Sequence, residues 1–242
     1  MTGLRTLHPL KGEPDFEWRG GNPTRVEALT DMVFAFALTL LVVSNAPPGS
    51  FGELRELLWG FPGFAAAFAI LLLLWHSHYI FFRRYALQDG WTTTLNAALL
   101  FLILFFVYPL KYLATMLSEW LRSLFAGAPY PPMSVEEGRD ALIILSGGYA
   151  AVFLMLFALY AHALRNGDRL ELSRRERQLT RFAKWQHGVH VLVGLLVIAC
   201  ASVLPTRWAP FAGFGYFLIG PLVMLAGVLI APSPKPGPRP SM

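Results

Sequence analysis

Six long apolar windows, at about 32–46, 57–82, 95–117, 141–163, 189–204 and 208–231, set what this chain can become. Each approaches the roughly 20 apolar residues that a helix needs to cross a bilayer. Turn and loop residues separate them: Pro47 to Gly49, Asp89 with Gly90, Pro129 to Pro132, Asn166 to Asp168, and Pro205. None of the windows alternates apolar and polar residues as a barrel strand would. The pattern predicts an all-α membrane protein with six transmembrane helices. Composition agrees, since 55% of the residues are hydrophobic and only 14% charged, against about 45–50% and about 25% in soluble domains. That balance excludes a disordered chain, a coiled coil and an ordinary soluble enzyme. Residues 1–22 read as a polar N-terminal segment without the apolar run of a signal peptide. Residues 23–231 form the six-helix domain, and the proline-rich residues 232–242 an extended, disordered tail. A single cysteine, Cys200, leaves this chain alone without a disulfide framework or a thiolate metal cage.

Lys and Arg fall unevenly between the loops. Arg55, Lys111, Arg122, Arg139 and Arg207 lie on one side of such a bundle, and the other fifteen of the 20 basic residues lie on the opposite side. The positive-inside rule then puts both termini in the cytoplasm of a multi-pass cell-membrane protein. Arg165, Arg169, Arg174, Arg175, Arg177, Arg181 and Lys184 form a basic loop after the fourth helix. The overall asymmetry accounts for it as a topogenic loop beside anionic lipid, so no nucleic-acid partner is expected.

The first span is unlike a lipid-facing helix. From Met32 to Ala46 it reaches only about 22 Å at 1.5 Å per residue, so it must start near Pro23 and Thr24, with proline in its first turn. That start draws Arg25, Glu27, Thr30 and Asp31 into the cytoplasmic third of the span, where ionisable groups mark a functional site by default. Partners are available at the same level: His76 and His78 end the second helix, Asp89 and Asn96 precede and begin the third, and His162, His187 and His190 flank the fourth turn-around. An unpaired carboxylate in lipid is costly, so Asp31 is expected to face His78 or Asn96. Farther along, Phe36, Thr39, Leu40 and Val43 follow the i, i+3, i+4, i+7 pattern of a single stripe. Periodicity alone fits either a narrow dewetting pore or a helix–helix seam.

The residues themselves go further. Arg25, Leu29-Thr30-Asp31 and the run Val33 to Val43 with its single threonine resemble the first-helix signature of the endolysosomal potassium-channel family (transmembrane protein 175) in its prokaryotic form. The likeness continues through Trp75, His78, Asp89, Asn96, Phe101 and Pro109, covering residues 24–110, and beyond that rests on helix count. The resemblance implies a six-helix subunit, four of which surround a central pore lined by the first helix: a homotetramer with potassium as the permeant ion and no cofactor. It places the narrowest ring at Phe36, with Thr39, Leu40 and Val43 outward of it. It also makes Arg25, Leu29, Thr30, Asp31, Trp75, His78, Asp89 and Asn96 the network that braces the first helix. Three positions depart from the signature: Leu29 and Thr30 replace Phe and Ser, and Phe36 is bulkier than the aliphatic side chain usual at the constriction.

Two other classes compete. A membrane cytochrome or metal protein could use His162, His187 and His190, two of which lie one turn apart, yet no carboxylate joins them at ligand spacing. A small-solute transporter would show matching halves or broken helices, and only Gly194 and the Gly220-Pro221 pair suggest a break. No phosphate loop, nucleophile elbow or zinc-protease motif is present, so no enzyme is expected.

Overall fold

The computed structural model describes residues 16–42, 47–129 and 133–230. The N-terminal segment before residue 16, Val43 and the proline-rich tail lie outside the described residues. Among the described residues there are seven α-helices: α1 (Arg25–Val42), α2 (Phe51–Trp59), α3 (Phe61–Tyr85), α4 (Gly90–Ala126), α5 (Val135–Arg165), α6 (Arg174–Val203) and α7 (Ile219–Ile230). A 3-10 segment over Thr206–Leu218, with Pro210 inside it, runs directly into α7. Among the described residues, five elements are long and apolar enough to cross a membrane: α3, α4, α5, α6, and the 3-10 segment continued by α7. The 18-residue α1 spans about 27 Å.

α1, α4, α5 and α6 start earlier than the apolar windows suggest, and capping chemistry explains why. Thr24 and Glu27 cap each other's backbone: Glu27 Oε2 accepts from Thr24 N at 2.7 Å, and Thr24 Oγ1 from Glu27 N at 3.2 Å. Thr24 is therefore the cap, and Pro23 lies before it instead of in the first turn. The same reciprocal box opens α5 with Ser134 and Glu137, and α6 with Ser173 and Glu176. Half of the basic loop expected over 165–184 is thereby helical, because α6 begins at Arg174. Polar first turns lower the mean hydropathy of a window, which therefore does not register them.

Packing falls into two units joined through α4 and α5. In the first, α1 lies against α3 and α4, burying Thr30, Phe34, Ala37 and Leu41 along one face. In the second, α5 and α6 pair along their lengths, and the 3-10 segment and α7 pack mainly on α6. Close approach of α3 and α4 depends on Gly63. A Cβ there would sit 1.8 Å from the carbonyl oxygen of Ala114, and the Gly63 N–H donates to Ser118 Oγ at 3.0 Å. Gly63→Ala should therefore destabilise the fold by about 1–3 kcal/mol, the usual cost of overpacking. Thermal unfolding in detergent tests this, and an unchanged midpoint would mean that the two helices separate freely.

One end of the bundle collects the basic segments. Arg19, Arg83 and the stretch Leu170 to Glu176 meet there, and Asp89 meets His162. The opposite end holds α2, whose Glu56 pairs with Arg122 of α4 at 2.7 Å.

Candidate functional site: the exposed stripe of α1 and its polar brace

Residues 100° apart on a helix sort α1 into two faces. The packed face centres on Thr30, Phe34, Ala37 and Leu41. Opposite it, Leu29, Met32, Phe36 and Thr39 are exposed, Met32 and Phe36 at 62% and 56%. Leu40 sits at the flank, half-buried against the core, so Phe36 and Thr39 are the members of the expected stripe that face fully outward. Val43 would fall on the same face but is outside the described residues. Met32 belongs to the stripe one turn before Phe36, and extending the i, i+4 spacing backwards from Phe36 would have found it. Thr39 Oγ1 donates to Ala35 O at 2.9 Å. Its hydrogen is thus committed to the backbone, leaving oxygen lone pairs on the exposed side.

A compact polar cluster holds the other face. Thr30, His78 and Asn96 are all buried, contributed by α1, α3 and α4. Thr30 Oγ1 donates to Val26 O at 2.9 Å, so it can accept the Asn96 amide at 3.1 Å. The Asn96 carbonyl then faces outward from that contact and accepts the His78 Nε2–H at 2.7 Å. This assignment gives each of these contacts one donor and one acceptor, with the His78 proton on Nε2, and follows from the donor–acceptor inventory. Van der Waals packing of Phe34 and Leu41 closes the same seam.

Asp31 takes a different partner from the one expected. Its Oδ1 accepts from Trp75 Nε1 at 2.8 Å on the edge of α1, and Thr30 occupies the place beside His78 and Asn96. Trp75 in turn stacks on Tyr79 with ring centroids 5.6 Å apart. Arg25 is exposed at the first residue of α1, and Glu27 is spent on the cap.

Asp89 braces a second junction. It caps α4 through the Thr92 N–H at 3.0 Å, and its two oxygens lie 3.0 and 2.9 Å from His162 Nε2 at the end of α5. An ionised carboxylate only accepts, so the His162 nitrogen carries the proton. Partial burial raises the Asp89 pKa, but the hydrogen bonds from His162 and Thr92 outweigh it and hold the carboxyl below its ordinary range.

The remaining histidines lie among aromatic rings. His190 stacks on Phe153 at 4.1 Å, with Nδ1 against the Tyr149 hydroxyl, and His187 meets the Tyr160 ring at 5.1 Å. Among the described residues, no three His, Cys, Asp or Glu side chains converge as metal ligands.

Comparison with known proteins follows the same helices. The profile of the family described as endosomal/lysosomal potassium channel TMEM175 matches residues 25–106, the stretch from α1 into α4. A protein of Marivirga tractuosa named potassium channel is 34% identical over 224 residues, covering 88% of this chain and 90% of its own. The crystal structure of a variant of the potassium channel MtTMEM175, in complex with a Nanobody-MBP fusion protein, superposes with a TM-score of 0.82 at 32% identity. That match covers 90% of this chain and 97% of the other. A lysosomal potassium-selective channel TMEM175 homolog from Chamaesiphon minutus gives 0.51 at 25% identity, over 84% of this chain and 96% of its own.

Proposed function

The chain belongs to the endosomal/lysosomal potassium channel family TMEM175, and from that premise we infer that it conducts potassium through a pore lined by the exposed stripe of α1. It is an ion channel and not an enzyme. The observation that carries the pore reading is the division of α1 into a braced face and an unpartnered one. With Arg25 and Asp31 exposed on it, α1 is poorly suited to lipid on its unpacked side. Copies of the same stripe meeting about a central axis would shield it. Four subunits, each with α1 and the five longer spans, make a homotetramer in which Phe36 forms the narrowest ring and Thr39 the nearest polar one. A carboxylate, amide or carbonyl cage is not part of this design: apolar side chains gate by dewetting, and Thr39 lone pairs offer a cation its polar contact. The side of the bundle that gathers the basic segments faces the cytoplasm, taking both termini with it.

Reconstitution of the full chain in liposomes, with potassium and then sodium as the driven ion, tests the reading. Potassium flux exceeding sodium flux is the expected result, together with a native mass of four chains in detergent and in lipid. A folded monomer, or protein that passes neither ion, would overturn it.

A further inference from the structure

The segment before α1 is tied down more thoroughly than a chain end needs to be. Arg19 Nε donates to Leu170 O at 2.9 Å, and its guanidinium grips Glu176 at 2.9 and 3.3 Å. Glu176, 5% exposed, also accepts from Glu17 N at 3.1 Å. The backbone N–H groups of Arg19 and Gly20 both donate to Arg83 O at 3.0 Å, and the Arg83 guanidinium donates to the Gly21 carbonyl. Contact is so close that a Cβ on Gly20 would lie 2.8 Å from Phe82 O. Residues 16–21 therefore form a strap across the ends of α3 and α6.

Two links carry the strap's position to α1. Only Asn22, Pro23 and Thr24 separate it from the helix; three residues span at most about 11 Å fully extended, and Pro23 stiffens them. The second link is aromatic. Trp18 meets Tyr79 edge-on at 6.2 Å, Tyr79 stacks on Trp75, and the Trp75 indole donates to Asp31 on α1. Both ends of the first two turns of α1 are thus referred to the strap.

We propose that Arg19 is a positioning residue for conduction: its clamp on Glu176 and Leu170 holds the strap, and the strap sets the height and rotation of α1 and hence of the Phe36 and Thr39 rings. The proposal rests on the reading of α1 as the pore lining. Potassium and sodium flux of the reconstituted full chain tests it, using Arg19→Ala, Gly20→Ala and Arg19→Lys. The first two should lower the potassium-to-sodium ratio roughly three- to tenfold, within the span reached by substitutions along a coupled network, in protein that remains folded and assembled. Arg19→Lys, which keeps the charge but loses the contact to Leu170, should fall between wild type and Arg19→Ala. Arg19→Ala and Gly20→Ala proteins that unfold, or that melt earlier with an unchanged ratio, would make the strap a structural tie and overturn the proposal. Phe36→Ala serves as the control, because silence there would implicate the pore reading and not the strap.

Discussion

Phe36→Ala should raise ion flux through the reconstituted channel by roughly tenfold or more and weaken its preference for potassium over sodium. Phe36 is the bulkiest residue on the free face of α1, and a ring of such side chains excludes water wherever the rings meet. An ion there sheds hydration with little in return, and each 1.4 kcal/mol removed from that barrier is worth about a factor of ten in rate. Alanine opens the ring, lets water follow the ion, and so relaxes the dehydration that separates the two cations. Thr39→Val is the companion variant. Its shape is nearly that of threonine, and the lost hydroxyl contacts only Ala35 O within α1, so folding should survive while the potassium-to-sodium ratio shifts. Flux measured across liposomes of equal protein content decides the matter. An unchanged flux for Phe36→Ala in assembled protein would remove Phe36 from the conduction path.

The second large effect is expected in the brace. Asn96→Leu deprives the His78 Nε2–H of its acceptor at 2.7 Å and Thr30 of its donor at 3.1 Å, in a site closed to water. An orphaned buried polar group costs about 1–3 kcal/mol, with the lower half of that range favoured in lipid because separated helices also find partners. His78→Leu leaves the Asn96 carbonyl orphaned instead and should cost a similar amount. The double substitution removes both partners at once, while Thr30 keeps its bond to Val26 O. It should therefore be much less than the sum of the two, and the cycle isolates the pair. Additive losses in detergent unfolding would show that the two side chains do not act through each other.

Much of this architecture was legible residue by residue. Thr24 with Glu27, Ser134 with Glu137 and Ser173 with Glu176 each spell a helix start in the sequence, three residues apart. Apolar windows pass over such starts, which is why α5 and α6 begin earlier than hydropathy places them. The short α2 was not foreseen, since its nine residues carry Glu53, Arg55 and Glu56 and resemble a loop by composition alone. Met32 was available from periodicity. Arg19 was not: nothing near it in sequence announces Glu176, which is 157 residues away.

What the sequence determined by itself is the class of the protein and the inventory of the site. An apolar stretch in lipid must satisfy its backbone internally, so long apolar windows become helices, and a 3.6-residue period puts Phe36 and Thr39 on one stripe whatever surrounds them. Polar groups in a span must likewise find partners, so Thr30, Asp31, Trp75, His78 and Asn96 had to be read together. Which of them pairs with which was decided only by the tertiary structure. Thr30 and Asp31 are neighbours in the chain but point 100° apart around the helix, so the rotation of α1 about its own axis chooses between them. That rotation is set by the fit of Phe34, Ala37 and Leu41 against α3 and α4. The fit turns Thr30 inward to His78 and Asn96, leaves Asp31 at the edge for Trp75, and aims Phe36 and Thr39 away from the fold.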